Sequence, residues 1–157
     1  MIKRIIDDIL PDNANSTSSW LDLETLADVE ITSEESGYPI EAALLPNRDL
    51  GWRAGRPGTQ TIRLLFKQPQ NLYRIQLSFL ESSVTRTQEY TLRWSKNHGQ
   101  TFHEIVRQHW NFSPDGSTIE MEEHALALSG ATELELIIKP DISSQGAIAS
   151  LEALRVA

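Results

Sequence analysis

The stretch Gly58-Thr59-Gln60-Thr61-Ile62-Arg63-Leu64-Leu65-Phe66, the break Gln68-Pro69-Gln70 and the run Leu72-Tyr73-Arg74-Ile75-Gln76-Leu77 decide the reading of this chain. Ile62, Leu64 and Phe66 share one face, Arg63 takes the other, and Leu65 makes that second face partly apolar. Tyr73, Ile75, Leu77 and Phe79 share a parity against Arg74, Gln76 and Ser78. Successive side chains of a strand point to opposite faces, so this alternation marks strands with one buried face. It recurs at Val29 and Ile31, at Tyr90, Leu92 and Trp94, and at Leu134, Leu136 and Ile138. Further strands are expected at residues 101–110, 119–121, 125–128 and 150–156. Many short strands separated by turns, with no long helix, predict an all-β chain folded as a β-sandwich or jelly roll.

The 157 residues carry 14 Lys+Arg against 22 Asp+Glu, a formal net charge of -8. One domain is the expectation at this length, burying roughly 68–70% of its unfolded surface. The acidity argues against a nucleic-acid partner, because phosphates need a clustered basic face. It also disfavours anionic membrane surfaces, and no run approaches the ~18 apolar residues of a membrane-spanning helix. The chain has no cysteine, which excludes disulfides, thiolate metal sites and cysteine nucleophiles.

Residues 1–27 read as a short N-terminal helical extension and residues 28–157 as the sandwich domain. Ile2, Ile5, Ile6, Ile9 and Leu10 follow a 3.6-residue period, with Lys3, Arg4, Asp7 and Asp8 off that face and Pro11 ending it. Asp7 and Asp8 interrupt any signal-peptide core, so a cytoplasmic location is the simplest expectation. Residues 20–26 and 39–45 read as helical turns.

If sequential strands run antiparallel, loops alternate between the two ends of the sandwich. Residues 68–71, 97–100 and 129–131 then make short turns at one end. Longer loops at residues 53–59, 81–87, 111–117 and 140–146 gather at the other, where binding residues of such scaffolds cluster.

Val29-Glu30-Ile31-Thr32-Ser33-Glu34, Tyr38-Pro39-Ile40-Glu41-Ala42-Ala43-Leu44 and Gly51-Trp52-Arg53 precede the opening stretch quoted above. Tyr90-Thr91-Leu92-Arg93-Trp94-Ser95 and a closing Ser150-Leu151-Glu152-Ala153-Leu154-Arg155-Val156 follow it. This order resembles the discoidin (coagulation factor 5/8 type C) superfamily, also called galactose-binding-domain-like, over residues 28–157. The resemblance implies a jelly-roll sandwich that binds sugars, lipids or proteins through loops at one end and is not catalytic by itself. The chain departs from the pattern in having no cysteine for a closing disulfide. Several sugar-binding members hold calcium with an acid just before the last strand's apolar residue. The matching position here is Ala153, and Glu152 stands one place early, on the opposite face of a strand.

Ser95-Lys96-Asn97-His98-Gly99-Gln100-Thr101-Phe102 resembles the Asp-box hairpin, with Asn97 for the acid and Phe102 for the tryptophan. Turn chemistry alone accounts for these residues. The four histidines lack ligand spacing, so neither a metal nor a cofactor is expected. Glu34-Glu35 and Glu122-Glu123 are adjacent pairs that point to opposite faces of a strand, poorly placed for acid–base work. No Gly-x-Ser-x-Gly elbow and no phosphate loop occurs, and no catalytic residue is nominated.

The candidate ligand-binding residues are Trp52, Arg53, Arg56, Arg86 and Asn111. Trp52 either offers a face for a sugar ring or is a core tryptophan. Arg53, Arg56 and Arg86 bring donors for hydroxyls or carboxylates, and Asn111 brings a donor and an acceptor. Trp110 and Phe112 either form a contact patch or close the sandwich end. Two functions follow. One is a non-catalytic module binding a carbohydrate or similar polar ligand through these loops. The other is a cytoplasmic protein-interaction or assembly domain that uses a sheet face or the apolar face of residues 2–10.

Overall fold

A computed structural model of the chain describes residues 20–48 and 50–157. The amphipathic segment at residues 2–10 lies outside the described residues. The elements run α1 (Leu23–Leu26), β1 (Ala27–Ile31), α2 (Glu41–Leu44), β2 (Trp52–Arg53), β3 (Gln60–Leu80), β4 (Arg86–Ser95), β5 (His103–Phe112), β6 (Ile119–Lys139), β7 (Ser150–Leu151) and β8 (Ala153–Val156).

Two of these strands build both layers of the sandwich. The first half of β3 pairs with β1 and with the second half of β6, which continues to β4 and then β5. The second half of β3 pairs with β8 and with the first half of β6. All these pairings are antiparallel. The sequence suggested that Pro69 separates two strands. Instead, β3 stays extended through it and the ladder slips, with register shifts between Leu65 and Gln70, Gln70 and Leu72, and Leu72 and Arg74. Proline removes one ladder donor without forcing a reversal, so the strand bends from one layer into the other. The slip also corrects the expected parity. Tyr73 is 58% exposed, and Leu72 is fully buried in its place. Likewise the strands expected at 119–121, 125–128 and 134–138 are one continuous strand, β6.

The core lies between the layers. Ile62, Leu64, Leu92, Leu134 and Leu136 face Ile75, Leu77, Phe79, Leu154 and Val156, all buried. The Phe79 and Tyr90 rings meet across the gap at 5.4 Å. Each such side chain contributes roughly 1.5–3 kcal/mol by leaving water. At one end the β4–β5 hairpin turns through His98 (φ 58) and Gly99 (φ 82), two left-handed residues that match strand twist. Asn97 Oδ1 accepts the Thr101 N–H at 2.9 Å, and Ser95 Oγ accepts those of Asn97 and Gly99. The Asp-box-like residues thus hold a turn.

Candidate functional site

The four long loops do share an end. The Ala54 N–H donates to the Ala149 carbonyl at 2.9 Å and the Gly58 N–H to that of Ala147 at 3.1 Å. The Ile142 N–H donates to the Thr87 carbonyl at 2.9 Å, and the Glu81 N–H to that of Thr118 at 2.8 Å. Residues 53–59, 81–85, 113–118 and 140–149 are laced into one rim.

The five candidate residues divide on that rim. Trp52 is 1% exposed, and its Nε1–H donates to the Ser33 carbonyl at 3.0 Å. The indole is a core plug with no face for a sugar, which corrects the stacking expectation. Arg86 is 3% exposed and is also withdrawn from any ligand. Its Nε donates to Glu81 Oε1 at 2.7 Å, its Nη1 to the Pro140 carbonyl at 2.7 Å, and its guanidinium covers the Phe112 ring at 4.8 Å. Parity with Tyr90 and Leu92 is the sequence signal that places Arg86 on the inner face. Arg53 and Arg56 are exposed. Arg53 lies over the Tyr38 ring at 4.3 Å and pairs with Glu35 at 3.5 Å. Asn111 is exposed at the end of β5, where its Oδ1 accepts the Thr87 hydroxyl at 2.6 Å. Phe112 is fully buried and Trp110 packs against the core, so these aromatics close the end.

Sequence reasoning missed the most developed polar group on the rim. A cleft of about 470 Å³ opens between residues 58–59 and 139–145, with Glu89 and His109 in its wall. β4 lies between β5 and β6, and the register sets Glu89 opposite both His109 and Lys139. Glu89 Oε1 is 2.8 Å from His109 Nε2, and Oε2 is 3.4 Å from Lys139 Nζ and 3.8 Å from Arg107. The hydrogen bond from His109, helped by the charges of Lys139 and Arg107, holds the Glu89 carboxyl below the ordinary range despite its burial. An ionised carboxylate only accepts, so His109 Nε2 carries the proton and donates. Glu89 is a fixed acceptor for the Nε2–H of His109 and pairs with the Lys139 ammonium, which carries further donors. Thr59, Ser143, Ser144 and Gln145 add hydroxyl and amide groups. A second cleft, of about 520 Å³, adjoins Arg53 and is walled by Leu80, Val84 and Ile148. Neither cleft is lined by Trp, Tyr or Phe.

Among the described residues, no group of three or more His, Cys, Asp or Glu is placed to hold a metal ion. Glu152 is exposed and accepts the Ser78 hydroxyl at 3.3 Å.

No protein-family model matches the chain, and no curated protein matches its sequence. Solved structures do resemble it. The family 32 carbohydrate-binding module of C. perfringens NanJ, in complex with galactose, superposes with a TM-score of 0.66 over 87% of this chain and 96% of that one, at 14% identity. A module of Clostridium perfringens (CpGH89CBM32-5), in complex with GalNAc-β-1,3-galactose, gives 0.61 over 87% and 98%, at 18% identity. The AlyQ module, in complex with 4,5-unsaturated mannuronic acid, gives 0.63 over 88% and 97%, at 14% identity. The chain has the galactose-binding-domain-like fold. At these identities the likeness is one of architecture, and it matches the all-β jelly-roll sandwich read from the strand alternation.

Proposed function

We propose that this chain is a non-catalytic carbohydrate-binding module whose ligand sits at the loop end, in the cleft of Glu89, His109, Lys139, Asp141 and Gln145. Arg53 and Arg56 stand on the adjoining loop. The observation that carries the reading is the cleft itself, a dense set of fixed donors and acceptors suited to a polyhydroxylated ligand. The fold supports it, since its solved neighbours are in complex with galactose, GalNAc-containing and uronic ligands.

The non-catalytic part rests on charge. Glycoside cleavage needs one carboxyl kept protonated beside one kept ionised. Hydrogen bonds from the Ser143 backbone and hydroxyl hold Asp141 below its ordinary range, and the partners of Glu89 do the same there. Both carboxyls of the cleft favour the ionised form, so neither is poised as an acid.

A glycan array followed by calorimetry tests the proposal, with the wild type and a folded His109→Ala/Lys139→Ala variant. The expected result is selective glycan binding by the wild type, weakened about tenfold or more in the variant through loss of charged hydrogen bonds. A folded wild type that binds no glycan, or a variant that binds as well, overturns it.

One observation favours the second reading, a cytoplasmic protein-interaction domain. Leu80 (48% exposed), Val84 (48%) and Ile148 (39%) converge on one cleft. Ile119 pairs with Leu80 and extends this apolar strip.

A further inference from the structure

Three buried polar atoms have no hydrogen-bond partner among the described residues: Arg86 Nη2, Trp110 Nε1 and Glu120 Oε2. All three residues neighbour one side chain, Gln88. Arg86 precedes it by two on the same strand face, and Trp110 is its cross-strand partner on β5. Glu120, fully buried on β6, reaches it from the other layer. Gln88 Nε2 donates to Glu120 Oε1 at 3.1 Å, and Gln88 Oε1 accepts from Arg86 Nη1 at 3.2 Å. The amide therefore links a buried carboxyl to a buried guanidinium. That guanidinium also holds Glu81, which lines the second cleft, through Nε, and the Pro140 carbonyl, which lines the first, through the same Nη1 that reaches Gln88. One interior side chain braces both sides of the rim.

We propose that Glu120 is a positioning residue for the loop end, because its protonation state decides how Arg86 is shared between the interior and the rim. Only the consequence for a ligand rests on the binding-module reading. The groups facing Glu120 are Arg86, Gln88 and Tyr90 from β4, and Glu122 from its own strand. Glu81 and Asp141 act on it through Arg86, and His124 accepts or donates at the Tyr90 hydroxyl, 2.7 Å away. A protonated Glu120 is neutral. Arg86 then stays with Glu81 and Pro140. When that proton leaves to solvent, two carboxylates stand on one face of β6. Arg86, with Nη2 unengaged, is the cation within reach. It is drawn inward, and its hold on the rim weakens. Burial first, and then the Glu122 charge, push the Glu120 carboxyl up to about 7, so the change falls at neutral pH.

Amide hydrogen exchange reads this without any ligand. Protection factors, corrected for intrinsic exchange, are followed from pH 5.5 to 8.5 at the Ile142 and Glu81 amides, which bridge the rim loops. The expected wild-type result is a fall of about tenfold through neutral pH, the effect of loosening one charged hydrogen bond. Glu120→Gln, locked in the neutral form, is expected to stay flat. Glu122→Gln removes the like charge, so its midpoint moves to lower pH, and it serves if the first variant folds poorly. A flat wild-type profile, or the same pH dependence in Glu120→Gln, overturns the proposal. If the wild type binds no glycan but the exchange result holds, the ligand reading fails and the positioning role stands.

Discussion

Replacing Trp52 separates a ligand role from a structural one. The residue is 1% exposed and donates its Nε1–H to the Ser33 carbonyl. Ser33 in turn donates its hydroxyl to Gln60 Oε1 at 2.7 Å and accepts the Gly55 N–H at 3.0 Å. Trp52 thereby pins residues 33–35 against the loop at residues 53–59 on the rim. Trp52→Phe keeps a ring in the core but leaves the Ser33 carbonyl without its donor, a loss of roughly 1–3 kcal/mol. Trp52→Ala also opens a cavity, for about 3–5 kcal/mol. With a urea slope of about 2 kcal/mol/M, a 2 kcal/mol loss lowers the midpoint by about 1 M. The assay is urea unfolding followed by far-UV circular dichroism, with glycan binding scaled to the folded fraction. Trp52→Phe is expected to unfold earlier and to bind per folded molecule as the wild type does. A Trp52→Ala variant as stable as the wild type that nonetheless loses glycan binding would refute the reasoning, because it would mean the indole meets the ligand directly.

Glu120 also predicts a pH dependence of stability. Its folded-state value near 7 lies above the ordinary 4.5, so the folded chain keeps a proton that the unfolded chain releases between those values. This contribution is fully present below pH 4.5 and is lost as pH rises to 7, by roughly 3 kcal/mol over the interval. Unfolding of wild type and Glu120→Gln across pH 4.5–8 should therefore diverge, with the variant gaining relative stability on the alkaline side; parallel curves would rule this out. Gly51 (φ 65) and Gly58 (φ 93) both hold left-handed backbone, but a Cβ at Gly51 would lie 2.6 Å from the Leu151 carbonyl oxygen, whereas one at Gly58 meets nothing within 3.9 Å. Gly58→Ala should cost about 1–2 kcal/mol from its dihedral alone and Gly51→Ala clearly more, and equal unfolding midpoints would contradict the close approach.

Much of this architecture is legible in residue parity. The alternation Ile62, Leu64, Phe66 and that of Leu134, Leu136, Ile138 marks the apolar face turned to the core, because successive side chains of a strand point to opposite sides. The turn residues around Asn97 and Gly99 and the long loops at 53–59, 81–87 and 140–146 then follow, and with them the end of the sandwich that carries the rim. Arg86 was legible too, since it shares the inner parity of Tyr90 and Leu92, although an arginine invites a surface reading. Parity says which side of a strand a residue takes, but not what covers it. Trp52 sits on a two-residue strand with no alternation to read, and packing alone buries it. Pro69 looked like a strand end, yet the neighbouring ladders hold β3 extended through it. Glu89, His109 and Lys139 lie on three separate strands. Only the antiparallel register sets them side by side, because a cross-strand contact depends on which residues the sheet places opposite each other.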